Sequence, residues 1–196
     1  MTNESIKNTF SLLAITLVAG LLLGGVYQIT KDPIAKEQQR AKEEAYKEVF
    51  ADADSFEELP LDGQSSKEFK KNGWDASVDE AMKVFDKDKN PIGYVLTVTD
   101  HEGYGGDIQF AMGVKSDGTL NGISFLSLSE TAGLGMKAKE EGFKDQFSNK
   151  NVERFEYTKN GASAENEIDA ISGATITTNA VTNGVNAGLF YISTLD

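Results

Sequence analysis

The spacing of apolar positions changes several times along the chain, and each change marks an element. Residues 8–30 are 23 consecutive positions without a charge. As a helix rising 1.5 Å per residue, such a run is about 34 Å long, enough for a hydrocarbon core about 30 Å thick. A cleavable signal would have a shorter apolar stretch and a small-x-small cleavage site, and nothing after Leu23 offers one. The expectation is an uncleaved membrane anchor; a buried core helix would seldom be apolar all round at a chain terminus. Lys31-Asp32-Pro33 follows, with the proline suited to the first turn of a new helix over residues 34–50. That helix puts Ile34, Ala41, Ala45 and Val49 on one side and dense Lys, Arg, Glu and Gln elsewhere. Residues 51–75 are acidic and carry Pro60, Asp62-Gly63 and Asn72-Gly73, which reads as loop.

Strand patterns begin near Ala81. Residues 82–85 and 93–99 flank a hairpin at 86–91, and residues 107–114 and 120–128 flank a second at 115–119. Four successive strands predict an antiparallel meander. Residues 136–147 read as a helix with Phe143 and Phe147 turned to the core, residues 152–158 as one more strand, and Asn160-Gly161 as a turn. Finally Val181, Val185, Leu189 and Ile192, spaced four, four and three, predict one face of an amphipathic helix that packs on the sheet. Strands first and helices after them give an α+β class rather than a doubly wound one. The expected organisation is an anchor over 1–30, a helix and acidic connection over 31–80, and one domain over 81–196.

Composition removes several functions. A net charge of −12, from 19 Lys and Arg against 31 Asp and Glu, opposes nucleic acid and anionic lipid headgroups as partners. With no cysteine there are no disulfides, thiolate-held iron–sulfur clusters or zinc ribbons, so any redox centre is organic. The single histidine, His101, sits beside Glu102 in a turn and reads as solvated rather than as a ligand. No twelve-residue calcium loop and no Gly-x-Gly-x-x-Gly nucleotide turn is present, so no metal site is expected.

The densest chemistry lies in Asp169-Ala170-Ile171-Ser172-Gly173-Ala174-Thr175, followed by Ile176-Thr177-Thr178. A small-residue turn precedes a cluster of hydroxyls at the start of a helix. The first backbone N–H groups of a helix lack intrahelical partners and sit at the positive end of its dipole, which suits a phosphate. Gly173 and Ala174 let the backbone approach a ligand closely. The same residues would serve if Thr175, Thr177 or Thr178 were merely an N-cap, and on local physics the cap ranks first.

The family resemblance reverses that ranking. Asp-x-x-Ser-Gly-Ala-Thr over residues 169–175 resembles the flavinylation motif of the FMN-binding domain family, found in the G subunit of the Rnf complex and the C subunit of the sodium-translocating NADH:quinone reductase. Ser129-Glu130-Thr131-Ala132-Gly133-Leu134-Gly135-Met136-Lys137 is similar to the family's Glu-Thr-Pro-Gly-Leu-Gly loop, with Ala132 where proline is usual. Gly103-Tyr104-Gly105-Gly106-Asp107-Ile108 is similar to a Gly-Tyr-Gly-Gly segment before a strand. With a short chain and one amino-terminal anchor, the resemblance is to the Rnf G subunits in particular.

That resemblance implies FMN joined through its phosphate to Thr175. A threonine hydroxyl is a poor nucleophile without an adjacent base, so a separate flavin transferase, which acts on FAD, is implied as a partner. Asp169 would serve recognition by that transferase or its metal chemistry. The resemblance adds Ser172, Gly173, Ala174, Thr178 and Tyr104 to the residues that bind the cofactor, and sets the loop of Glu130, Thr131, Gly133, Leu134 and Gly135 against the flavin ring. The implied activity is electron transfer within a membrane complex that passes electrons between ferredoxin and NAD, coupled to sodium or proton export, with the other membrane and peripheral subunits as partners. The chain would not be catalytic by itself. Lys31, Lys36, Arg40, Lys42 and Lys47 lie after the span and only Lys7 before it, so the positive-inside rule puts the domain in the cytoplasm. The family puts it on the extracytoplasmic side, and that is the expectation kept. Two other readings are open: a flavoprotein of another extracytoplasmic electron route, and a structural membrane subunit without flavin.

Overall fold

A computed structural model describes residues 3–61 and 65–195. The chain divides into two units, residues 1–41 and 42–196. Helix α1, Asn3–Val49, contributes to both. In the first unit its apolar window is wholly exposed, and the helix is long and apolar enough to cross a membrane. Pro33 lies inside α1 and does not begin a new helix as its position predicts. A proline removes one donor and costs about 3 kcal/mol, but local propensity is a weak constraint when many flanking residues are already helical.

The second unit is built on a five-stranded antiparallel sheet in the order β1 (Ser55–Leu59), β2 (Ala76–Phe85), β3 (Pro91–Asp100), β4 (Ile108–Lys115) and β5 (Leu120–Ser127). Both predicted hairpins are present, joining β2 to β3 and β4 to β5. Residues 51–75 depart from the loop reading, since β1 and the short helix α2, Ser65–Lys71, fall within them. β1 extends the meander by pairing with β2, Ser55 opposite Phe85. Its Glu57-Glu58 pair hides the strand from composition, because an edge strand buries little. The expected turn at Asp62-Gly63 lies outside the described residues.

Alternation along the central strand sends side chains to two separate cores. Val95 joins Val84 and Ala111 under Ala45, Tyr46, Val49 and Phe50 at the end of α1. Leu96 and Val98 face the larger core beneath α4, Thr175–Ser193. The end of α1 is also tied by polar contacts. The Tyr46 hydroxyl donates to Glu80 Oε2 at 2.9 Å and shares a bond with Thr97 at 2.8 Å. The Ser124 hydroxyl donates to Glu48 at 2.6 Å and Lys144 Nζ to the same carboxylate at 2.7 Å.

α4 is buried on nearly every side rather than amphipathic, with Gly184 against Phe110 and Gly188 against Met112 and Val98. Three of its four buried polar residues recur at every fourth position and are bonded. Thr178 binds the turn before the helix, Thr182 donates to the Thr178 carbonyl at 2.8 Å, and Asn186 exchanges two bonds with the Phe155 backbone. The expected helix over 136–147 is broken into a 3-10 turn at Gly135–Lys139, the short α3 at Glu141–Lys144 and a 3-10 turn at Asp145–Phe147. Glu140 is extended (φ −71°, ψ 142°), which interrupts the helix while Phe143 and Phe147 still reach the core. The strand expected over 152–158 is confined to β6, Glu156–Thr158, which pairs in parallel with β7, Glu167–Asp169.

Candidate functional site

The Ser-Gly-Ala turn is built as its residue types require. The Ala174 N–H donates to the Ile171 carbonyl at 3.0 Å, and Gly173, third in the turn, has φ 78°. A positive φ there is what a type II turn demands, and only glycine adopts it cheaply. Thr178, fully buried, fastens this turn to the helix. Its Oγ1 accepts the Ile171 N–H and donates to the Ala174 carbonyl, both at 3.0 Å.

The cap reading of the threonines fails on this geometry. The residue at the N-cap of α4 is Ala174, and no side chain caps the helix. The first intrahelical bond is donated by Thr178, to Ala174. The N–H groups ahead of it therefore face outward at the positive end of a 19-residue helix.

Three segments widely separated in sequence converge on this helix start and close a cleft of about 540 Å³. Tyr104 comes from the loop between β3 and β4, Glu130, Thr131, Leu134 and Gly135 from the loop after β5, and Gly173, Ala174 and Thr175 from the turn and first position of α4. The contacts among the segments are tight enough to explain the glycines. A Cβ on Gly105 would lie 2.0 Å from the Ser129 carbonyl oxygen. One on Gly135 would lie 2.5 Å from Thr177 Oγ1 and 2.7 Å from Glu130 Oε2, and one on Gly173 would lie 3.1 Å from Leu134. Glu130, 9% exposed, joins two of the segments, since its Oε1 accepts the Gly105 N–H at 3.2 Å.

The walls of the cleft are apolar and open. Among the described residues of the second unit, the large hydrophobic side chains left exposed are Leu61, Tyr104, Leu134 and Ile176, and the last three all line the cleft. Ile176 and Thr177 were absent from the residues expected at the site. Ile176 carried a signal, because it lies out of phase with the buried stripe of Val181, Val185, Leu189 and Ile192. Thr177 gave none, since its role depends on the packing of Gly135.

Four expected residues lie outside the lining. Ser172 is exposed in the turn, Gly133 is exposed with φ 76°, and Thr178 is buried behind the turn. Asp169 faces another loop: its Oδ1 accepts the Ala162 N–H at 2.7 Å, and its own N–H donates to Gln146 at 2.6 Å. The carboxylate at the cleft is Glu130, not Asp169.

This set of groups fits a ligand with a phosphate at one end and a flat apolar body. The uncapped helix start supplies donors, Gly135 and Gly173 leave space that a Cβ would fill, and the volume lies within the range of small-molecule sites, about 300–1,000 Å³.

Comparison with known proteins gives a consistent picture. Residues 103–189 match the model of the FMN-binding domain and residues 1–49 that of the RnfG N-terminal region. The chain is 30% identical to the G subunit of the proton-translocating ferredoxin:NAD(+) oxidoreductase complex of Clostridium ljungdahlii, over 96% of this chain and 95% of that one. It is 31% identical to the G subunit of the Na(+)-translocating ferredoxin:NAD(+) oxidoreductase complex of Acetobacterium woodii, over 91% and 86%. It is 33% identical to the G subunit of the ion-translocating oxidoreductase complex of Methanosarcina acetivorans, over 98% and 96%. Among solved structures, NqrC of Shewanella oneidensis shares the fold with a TM-score of 0.53, at 16% identity, over 76% of this chain and 87% of that one.

Proposed function

Because the chain belongs to the family of G subunits of Rnf-type ion-translocating oxidoreductase complexes, we propose that it carries electrons in such a complex by means of FMN joined through its phosphate to Thr175. The family makes it an FMN-binding electron-transfer subunit. The observation that carries the finer reading is the convergence of three family motifs on one cleft at the uncapped start of α4.

Thr175 is half-buried at the first position of α4, and its hydroxyl would hold the phosphate where unpaired N–H groups point outward. Attachment from FAD replaces the bond between the FMN phosphorus and AMP by one to Thr175 Oγ, and AMP leaves with the hydroxyl proton. No basic side chain lines the cleft among the described residues. The one carboxylate among those described residues, Glu130, accepts the Gly105 N–H rather than the Thr175 hydroxyl; a transferase would supply the base, and Asp169, turned to the neighbouring loop, would lie on the surface such a partner meets. Leu134, Ile176 and Tyr104 would bear on the ring. Bound flavin accepts and donates electrons, and the protein places it and sets its potential.

In this reading α1 anchors a single-pass protein in the cell membrane, with the domain of residues 81–196 on the extracytoplasmic side. The other subunits of the complex pass electrons between ferredoxin and NAD while exporting sodium or protons. The test is intact-mass and denaturing-gel fluorescence of protein taken from its native membrane, beside Thr175→Ala. The expected wild-type mass exceeds that of the bare chain by one FMN less one water, with fluorescence surviving denaturation and absent from the variant. An unmodified wild-type chain from cells with an active transferase overturns the reading.

A further inference from the structure

We infer that the Glu130 carboxylate acts as a fixed negative charge that holds down the reduction potential of the group in the cleft. The inference rests on the function just proposed and adds a role for one side chain. Among the described residues lining the cleft, Glu130 alone carries a formal charge. It is nearly buried, and no basic side chain pairs with it among the described residues.

Its position is set from two sides. The Gly105 N–H donates to Oε1, and the missing side chain of Gly135 leaves Oε2 lodged beside the loop. The charge therefore cannot swing out to solvent without breaking the contact between two segments of the wall. The carboxylate lies close to the first turn of α4, since a Cβ on Gly135 would meet both Glu130 Oε2, at 2.7 Å, and Thr177 Oγ1, at 2.5 Å. Each electron accepted from a donor adds one negative charge to the acceptor until a proton follows it. A like charge held within about 10 Å, in a site of effective dielectric constant about 20, opposes that addition by roughly tenfold in the ratio of reduced to oxidised.

A purely structural role, holding Gly105 in place, would predict lost stability without a change in potential. Redox titration of the full-length, flavin-bearing protein separates the two. Glu130→Gln keeps an oxygen for the Gly105 N–H and removes the charge; its midpoint is expected to move upward, with roughly tenfold more reduced flavin at a fixed applied potential. Thr131→Lys adds a positive charge to the same wall without touching that hydrogen bond, and its midpoint is expected to rise as well. Glu102→Gln removes a carboxylate outside the lining, bonded to Asn183 at 3.0 Å, and should change the ratio less than about twofold.

An attached flavin whose potential is the same in Glu130→Gln as in the wild type overturns the inference while leaving the proposed function intact. Equal shifts in Glu102→Gln overturn it too. If Glu130→Gln loses its flavin, Thr131→Lys decides, and an unmoved potential there is fatal. A wild-type chain that carries no flavin overturns the proposed function and this inference together.

Discussion

At the scale of single residues, two buried polar side chains carry predictions, Thr178 behind the candidate site and Asp100 at the end of β3. Thr178 holds the Ile171–Ala174 turn through a bond accepted and a bond donated. Thr178→Val should destabilise the domain by about 1–3 kcal/mol, since it leaves the Ile171 N–H buried without its partner. Thr178→Ser should restore both stability and flavin attachment; chemical denaturation and in-gel fluorescence measure the two. Asp100, fully buried at the end of β3, accepts the Glu102 N–H at 2.9 Å through Oδ1, while Oδ2 has no hydrogen-bond partner among the described residues. Burial pushes its pKa from 3.8 up to about 7 against the lowering effect of that N–H. The folded state therefore holds a proton that the unfolded chain releases near pH 4. The contribution of Asp100 to stability is most favourable below that point and falls as pH rises to about 7, by at most a few kcal/mol. The melting temperature should drop between pH 5 and pH 8, and this slope should flatten in Asp100→Asn.

At the scale of elements, legibility followed how local each element's cause was. The hairpins around Asp86–Pro91 and Lys115–Thr119 were legible because turn residues and alternating strands lie side by side in sequence. β6 falls within the strand expected over 152–158, but β7 was not legible, because three-residue strands are held by a parallel ladder and by Asn186 reaching back to Phe155. α4 was found by its apolar spacing, but burial on its other sides depends on glycines matched to distant residues, such as Gly188 to Met112. The candidate site divided in the same way. Motif residues carried the turn and helix start, whereas Thr177 and the clamp at Glu130 emerged only once the loops were packed. Gly135→Ala tests that packing. The added methyl meets Thr177 and Glu130, so the variant should lose about 1–3 kcal/mol and its flavin, whereas Gly142→Ala, with open space around it, should lose neither.

At the scale of the whole molecule, the boundary between the units predicts where the chain can be cut. Removal of residues 1–41 takes away the exposed apolar helix and leaves Ala45, Tyr46, Val49 and Phe50 in their core. The remaining piece should be soluble and melt cooperatively. Removal of residues 1–50 strips those four side chains from Val84, Val95 and Ala111, at about 1.5–3 kcal/mol for each large one, and that piece should melt far lower or aggregate. The helix that completes the other core is the last described element in chain order. Asn183 on it bonds Glu102 across 81 positions. Contacts of such long span cost more loop-closure entropy than the hairpins do, so α4 is expected to settle on the sheet after those local pairs have formed. Until then the cleft has no helix start and Thr175 no place in it. On the proposed function, maturation doubles as an inspection: a chain bearing flavin is one whose fold had already closed, and the colour of a membrane fraction counts finished domains rather than synthesised ones.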